Sequence, residues 1–342
     1  MLSKKQVIEI REHLEKAQNP IFFFDNDQDG LCSFLLLRRF IGRGKGVSVK
    51  SYPQMDGGYF RRVEELNADY IFILDKPVVS DEFWKEIEKV NIPVVWIDHH
   101  ELQSSCPDFV NYYNPVYGKT KSNEPVTKLC YDVAQKKEDM WLAVIGCVAD
   151  AYVPDFYPEF LKKYPDLGID SKVAFDIIYN SRVGEISKLL GAGLKDKTTN
   201  VVKMMKFLMK AKSPYEVLEE VAENREMHKK YNEIKKKYDL LKSKAVLVDR
   251  DKFLLFKYSG DLSISAELAN EMSFRFPGKI ILVGYVDGDR INFSGRGKDV
   301  REIVLKAIEG LDATGGGHPL AVGVRIKVDD LETFKERIGA LI

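Results

Sequence analysis

Three short apolar runs in this sequence each end in an acid: PIFFFD (20–25), DYIFILD (69–75) and PVVWID (93–98). Further groups able to bind a cation lie beside those ends. Asp27 and Asp29 follow Asp25 in the tract DNDQDG, and His99 and His100 follow Asp98 directly. Imidazole together with several carboxylates is a donor set for manganese, zinc or iron rather than for calcium. The alternating acids of DNDQDG resemble the start of an EF-hand loop, but that loop needs a glutamate at its twelfth position after a longer polar stretch. Here LCSFLLLRRF, an apolar helical pattern, follows instead. A fourth segment, WLAVIGCVAD (141–150), is apolar nearly throughout and closes on Asp150, whose carboxylate would need a partner if buried. Asp98 stands next to His99, where it could hold that imidazole in one tautomer.

A second set lies far downstream. Gly315, Gly316 and Gly317 precede His318, and Ser294 and Arg296 sit in FSGRG. Consecutive glycines let backbone N–H groups approach an anion, and Arg offers a bidentate fork to phosphate. Taken alone, GGGH reads more simply as a flexible turn. Its co-occurrence with the acids gives it weight. Two divalent ions roughly 3.5–4 Å apart are the usual device for in-line displacement at phosphorus, where they activate water and stabilise charge on the phosphate oxygens. Five or six carboxylates and a histidine are about what such a pair requires.

The elements that must position these residues alternate. Strand patterns at 20–25, 47–52, 69–75 and 93–98 are separated by helical patterns such as DEFWKEIEKVN. That alternation predicts βαβ units and a mainly parallel sheet covered on both faces. Ligands of open α/β sheets bind outside the carboxyl ends of the strands, which brings Asp25, Asp75 and Asp98 to one crevice. A largely helical stretch runs from about 120 to 244. Within it Ser213, Pro214 and Glu216 predict a capped helix start, with the helix continuing to about 242. Strand patterns return at 245–249, 253–259, 279–286 and 290–295, with a hairpin turn at Asp287-Gly288-Asp289 and helices at 262–274, 299–310 and 329–341. The chain is thus expected to be α/β, with a mainly parallel N-terminal domain (1–190), a helical connector (191–244) and a smaller α/β C-terminal domain (245–342).

The 342 residues carry 52 Lys+Arg and 52 Asp+Glu, so net charge points to no partner. The distribution says more: residues 193–244 hold 14 basic against 8 acidic groups. A nucleic-acid track would look like this, and so would a solvated helix face with paired charges. Tyr231 and Tyr238 could stack on bases or pack the helix. Cys32, Cys106, Cys130 and Cys147 form no zinc spacing and read as free thiols of a reducing compartment. His13 and His228 fall on charged helical faces. No apolar run approaches the ~20 residues that span a bilayer, and no signal-peptide core is present, so no membrane association and a cytoplasmic location are expected.

Taken in order, the motifs resemble those of the DHH phosphoesterase superfamily. DNDQDG is similar to its first motif, ILDKP to its second, IDHHE to its signature and CVAD to its fourth. SGRG and GGGHPLAVG resemble the accessory substrate-binding domain of many members. The resemblance implies Asp25, Asp27, Asp29, Asp75, His99 and Asp150 as metal ligands, with Asp75 bridging. It implies Asp98 as the orienting partner of His99 and, with His100 near the scissile phosphate, as the catalytic pair. Ser294, Arg296, Gly315, Gly316, Gly317 and His318 would contact substrate phosphate. Many members carry a histidine four residues before the acid matching Asp27. Here Phe23 holds that place, and Asp25 is close enough to serve in its stead. Within the superfamily the chain resembles compact archaeal RecJ-like exonucleases of the helicase-associated type. It is similar also to hydrolases of short oligonucleotides and 3′-phosphoadenosine phosphate. The resemblance implies two divalent cations, Mn2+ with Mg2+ as the alternative. It implies single-stranded nucleic acid or short oligonucleotides as substrate. A helicase or other replication or repair protein is a candidate partner, and a homo-oligomer a candidate assembly. A non-catalytic replication scaffold is the remaining alternative, against which the retained acids argue.

Overall fold

Five strands form one parallel sheet in the first of two units, Met1–Tyr231. They are β1 (Pro20–Asp25), β2 (Lys45–Val49), β3 (Tyr70–Leu74), β4 (Val94–Ile97) and β5 (Val110–Tyr113), in the order β2-β1-β3-β4-β5. The computed structural model describes residues 1–51, 54–118, 121–247 and 252–342. The strands lack alternation because both faces are covered. Phe22, Phe24, Phe72, Leu74, Val95 and Ile97 enter one core. Ile21, Phe23, Ile71, Ile73, Val94 and Trp96 enter the other. Adjacent parallel strands in this register bring the ends of β1, β3 and β4 to one edge, with Phe24 beside Leu74 and Leu74 beside Ile97. The strand β5 was not expected: its sequence, VNYY, has no apolar run, because as an edge strand it leaves Asn111 and Tyr112 half-buried.

Helix Gln28–Ile41 follows β1 at once and buries Asp29 through Leu37. It stops at Gly42, whose φ of 76° closes the left-handed cap. Helix Met140–Ala149 buries Met140 through Val148, as its apolar sequence demands. The expected connector does not stand apart. Helices Arg182–Leu194 and Thr198–Leu208 send Leu190, Leu194, Val201, Met204 and Leu208 into the first core, and the unit extends to Tyr231. The single helix expected from Ser213 to about 242 is interrupted. Pro214–Leu218 and Arg225–Leu247 are separate helices. Between them the buried Asn224 accepts from the Val221 amide at 2.8 Å and donates to the carbonyls of Glu216 at 3.2 Å and Glu219 at 2.8 Å. Ser213 makes no side-chain cap, and Glu216 turns back to the Lys212 amide at 3.0 Å. His228 is buried rather than on a charged surface, with Nε2 at 2.9 Å from the Val217 carbonyl.

The second unit, Asn232–Ile342, holds a five-stranded sheet. Its strands are β6 (Phe253–Tyr258), β7 (Ile280–Asp287), β8 (Arg290–Arg296), β9 (Thr314–His318) and β10 (Ala321–Lys327), in the order β9-β10-β8-β7-β6. Only β6 and β7 pair in parallel. Gly288 turns the β7–β8 hairpin at φ 61°. Helices Ser265–Arg275, Val300–Ala307 and Leu331–Leu341 pack on this sheet. Residues 245–247, expected to open a strand, instead finish helix Arg225–Leu247. Residues 248 and 249 of that expectation, and Tyr52 of the one at 47–52, lie outside the described residues. Among the described residues no helix is long and apolar enough to cross a membrane.

Candidate metal centre and phosphate-binding face

The carboxyl edge of the first sheet gathers the acids. His99 lies at their middle. Its Nε2 is 3.4 Å from Asp75 Oδ1, 3.8 Å from Asp150 Oδ2 and 4.0 Å from Asp29 Oδ2. Asp75 follows β3 with φ 59°, a left-handed conformation that Asp tolerates better than most residues. Asp27 caps helix Gln28–Ile41, its Oδ1 accepting from the Gly30 amide at 2.9 Å. Gly30 is glycine for space: a methyl group there would collide with the Asp25 carbonyl and come within 2.7 Å of the Asp25 nitrogen. Asp29 is buried and serves a different helix, accepting from the amides of Val126 at 2.9 Å and Thr127 at 2.7 Å where helix Val126–Ala134 begins. Asp150 ends helix Met140–Ala149, and Ala151 after it has φ 56°.

One expectation needs correction. Asp98 does not hold His99. Its Oδ1 is 2.9 Å from His100 Nδ1, because the chain turns after β4 and brings the second histidine back over the first acid. The Nδ1 of His99 instead approaches the Asn123 carbonyl at 3.4 Å. Among the described residues no ion pair joins Asp25 to His99. Its Oδ1 pairs with Lys76 Nζ at 2.7 Å, and Lys76 is wholly buried. Phe23 packs in the second core against Tyr59 and Phe83.

The electrostatics are those of a site short of positive charge. Burial, then Asp25 and Asp29, raise Asp27 to about 6, although it accepts hydrogen bonds from the Gly30 amide and from the Asp75 carboxyl. Burial and the carboxylates of Asp29 and Asp27 push Asp75 well up. Burial and Asp29 bring Asp150 to about 7. Burial disfavours the charged form of His99, but Asp75, Asp29 and Asp150 outweigh it and hold the imidazole at about 11. Asp75 Oδ1 and Asp98 Oδ2 are buried without a hydrogen-bond partner among the described residues. A divalent cation fits here: it would satisfy the Asp75 oxygen and replace the protons these groups retain. Two overlapping groups have ligand atoms mutually within 4.8 Å, Asp75-His99-His100 and Asp29-His99-Asp150.

Several supporting residues escaped the sequence reading. Asn114 donates to the His100 carbonyl at 2.8 Å and Tyr112 OH at 2.7 Å. Thr127 Oγ1 donates to the Asp29 carbonyl at 2.9 Å. Lys76 had one signal, its place directly after a strand-terminal acid.

In the second unit GGGH is no turn. It is the exposed edge strand β9, paired with β10. The register aligns Ser294 with Gly323 and Gly323 with Gly316, and Arg296 with Ala321 and Ala321 with His318. Directly paired residues share a face, so Ser294, Arg296, Gly316 and His318 lie on one face of this sheet. A methyl group at Gly316 or Gly323 would meet nothing within 4 Å, so the face is bare backbone there. Gly317, at φ 144°, is required by its backbone. Ser294 Oγ is 3.1 Å from Ser265 Oγ, and Arg296 Nε donates to Asn270 Oδ1 at 2.5 Å.

The basic stretch is less uniform than expected. Lys203, Lys206 and Lys210 line a cleft of about 580 Å³, but Glu216, Glu219 and Glu223 line it too. On the long helix Lys235 pairs with Asp239 at 2.6 Å and Lys237 with Asp261 at 2.6 Å. Tyr231 and Tyr238 both pack against hydrophobic cores, and Tyr238 OH also bonds Glu271 at 2.5 Å, which leaves neither as a free stacking platform.

Comparison with known proteins agrees with this architecture. The DHH family N-terminal domain matches residues 21–151, and the DHHA1 domain matches residues 251–342. The chain belongs to the DHH phosphoesterase superfamily. Its fold is similar to that of RecJ from Thermus thermophilus in complex with Mn2+, with TM-score 0.69, 15% identity, and coverage of 98% of this chain and 54% of that one. The chain thus spans about half the length of that relative. A manganese-bound exonuclease RecJ gives TM-score 0.65 and 14% identity, covering 98% and 93% of the two chains. The pGpG-specific phosphodiesterase PggH from Vibrio cholerae gives TM-score 0.53 and 12% identity, covering 94% and 99%. Compared by sequence, no curated protein matches the chain.

Proposed function

We propose that this phosphoesterase is a metal-dependent exonuclease on single-stranded DNA or RNA, with two divalent cations held by Asp27, Asp29, Asp75, His99 and Asp150. The observation that carries the reading is the convergence of acids from three separate segments on one imidazole nitrogen, at 3.4–4.0 Å. Mn2+ is the first candidate, since carboxylates with imidazole suit it, and Mg2+ the second. When bound, such cations supply Lewis-acid stabilisation of charge on phosphate oxygens and lower the pKa of water.

The chain's own groups do the rest. Asp75, whose buried Oδ1 has no hydrogen-bond partner among the described residues, would bridge the two cations. His99, which the surrounding carboxylates keep protonated without metal, would lose its Nε2 proton to ligate, so cation binding would release that proton. His100 is held through Nδ1 by Asp98, so Nε2 is the ring nitrogen that would meet the scissile phosphate. In the second unit Arg296, Ser294 and His318, with the bare glycine backbone, form a face suited to phosphate. The exonuclease reading is preferred on the likeness of the fold to two manganese-bound RecJ structures, each over 98% of this chain.

A second reading is hydrolysis of dinucleotide-sized substrates. It draws on the near end-to-end coverage of both chains in the PggH comparison. A time course with Mn2+ on 5′-labelled and 3′-labelled DNA and RNA of several lengths separates the two. Successive shortening of long strands supports the exonuclease. Cleavage confined to the shortest oligonucleotides supports the second reading. Hydrolysis that survives intact in an Asp75→Ala plus His99→Ala variant would remove both.

A further inference from the structure

Lys76 is a fully buried lysine one residue after Asp75, and it faces Asp25. We propose that Lys76 is a built-in counter-charge that keeps Asp25 out of the metal centre, so that β1 contributes no ligand and the set begins at Asp27. The inference rests on the metal-dependent reading above and concerns which residues make up its centre.

Strand geometry comes first. Side chains alternate along β1, sending Phe22 and Phe24 into one core and Ile21 and Phe23 into the other. Asp25 therefore follows Phe23 to the second side. There Lys76 Nζ donates to Asp25 Oδ1 at 2.7 Å and to the Ser51 carbonyl at 2.9 Å. The left-handed turn at Asp75 separates two neighbours in sequence, aiming Asp75 at His99 and Lys76 at Asp25. The Lys76 backbone is pinned as well: the Trp96 indole donates to its carbonyl at 2.9 Å, and Pro77 restricts its conformation. Lys76 cannot withdraw without leaving a buried ammonium or a poorly solvated carboxylate unpaired.

Charge gives a second argument. The ammonium of Lys76 matches Asp25, and Asp98 is engaged by its hydrogen bond with His100 Nδ1. Among the described residues no lysine or arginine pairs with Asp27, Asp29, Asp75 or Asp150, four carboxylates to set against two divalent ions. The histidine-and-acid groups with ligand atoms within 4.8 Å contain neither Asp25 nor Asp27, but Asp27 joins them through its hydrogen bond with Asp75, whereas Asp25 pairs with Lys76.

The test is calorimetric titration of the full chain with Mn2+. Asp25→Asn should keep the wild-type stoichiometry and a Kd within about threefold of it, whereas Asp75→Asn should weaken binding at least tenfold. In Lys76→Met, Asp25 is released to ligate and Mn2+ binding should tighten at least fivefold. Adding Asp25→Asn should cancel that gain. A tenfold loss in Asp25→Asn, or loss of one Mn2+ equivalent, overturns the proposal, as does a folded Lys76→Met with no tighter binding. Should Lys76→Met not fold, the Asp25→Asn titration decides alone. Absence of Mn2+ binding by the wild type would instead overturn the metal-dependent reading itself.

Discussion

Protons take the place of cations in the metal-free centre, and that sets how stability varies with pH. The His99 pKa is raised from 6.5 to about 11, so its contribution is fully present below 6.5 and lost as pH rises towards 11. Asp27 and Asp150 are raised from 3.8 to about 6 and about 7, and their protonated forms are lost over those intervals. All three act in the same direction. The metal-free protein should therefore melt at progressively lower temperature between about pH 5.5 and pH 9, and saturating Mn2+ should stabilise it most at the alkaline end. Differential scanning fluorimetry across that range checks this; a metal-free Tm that rises with pH would contradict it. Asp75 and Asp98 were legible because each ends an apolar strand run, Asp150 because it ends an apolar helix, and Asp27 and Asp29 because they directly follow a strand-terminal acid. The Asp98–His100 and Asp25–Lys76 pairs were not, because which neighbour a side chain meets depends on turns of the backbone that composition does not reveal.

Among elements, the contact between helix Gln28–Ile41 and β1 closely constrains the site. Gly30 lets the first turn of that helix lie against the Asp25 backbone. Gly30→Ala should force the helix outward, cost about 1–3 kcal/mol as an overpacked core does, and weaken Mn2+ binding by displacing Asp27 and Asp29. Chemical denaturation and calorimetry read the two effects, and a variant unchanged in both would show that the helix does not set the ligand geometry. Strands with continuous apolar sequence were read correctly for the same reason that β5 and β9 were missed. Burial on both faces leaves a mark in composition, whereas an edge strand with half-buried Asn111, or one made of exposed glycines, leaves none. The long helix failed as an expectation because the buried amide of Asn224 satisfies carbonyls that a continuous helix would have used.

Across the whole molecule, the proposed cation ligands and the proposed phosphate-binding groups belong to different units of the chain, Met1–Tyr231 and Asn232–Ile342. Changes in the second unit should then affect substrate without affecting metal. Arg296→Ala removes a charged hydrogen-bond donor worth about 1.5–3 kcal/mol, so kcat/KM should fall about 10- to 100-fold while the Kd for Mn2+ stays as in the wild type. Asn270→Ala, which loosens Arg296, should have a smaller effect of the same kind. Steady-state kinetics beside calorimetry would show it, and a matching loss of Mn2+ affinity in Arg296→Ala would contradict this division of roles.

Asp29 joins two things usually measured apart. Its oxygens accept directly from the amides of Val126 and Thr127, and the same carboxylate faces His99. Those two backbone amides are therefore built-in spectroscopic reporters of the centre. In an amide correlation spectrum their resonances should shift on adding Mg2+ and broaden beyond detection with Mn2+. Occupancy could then be read residue by residue, before any substrate is present.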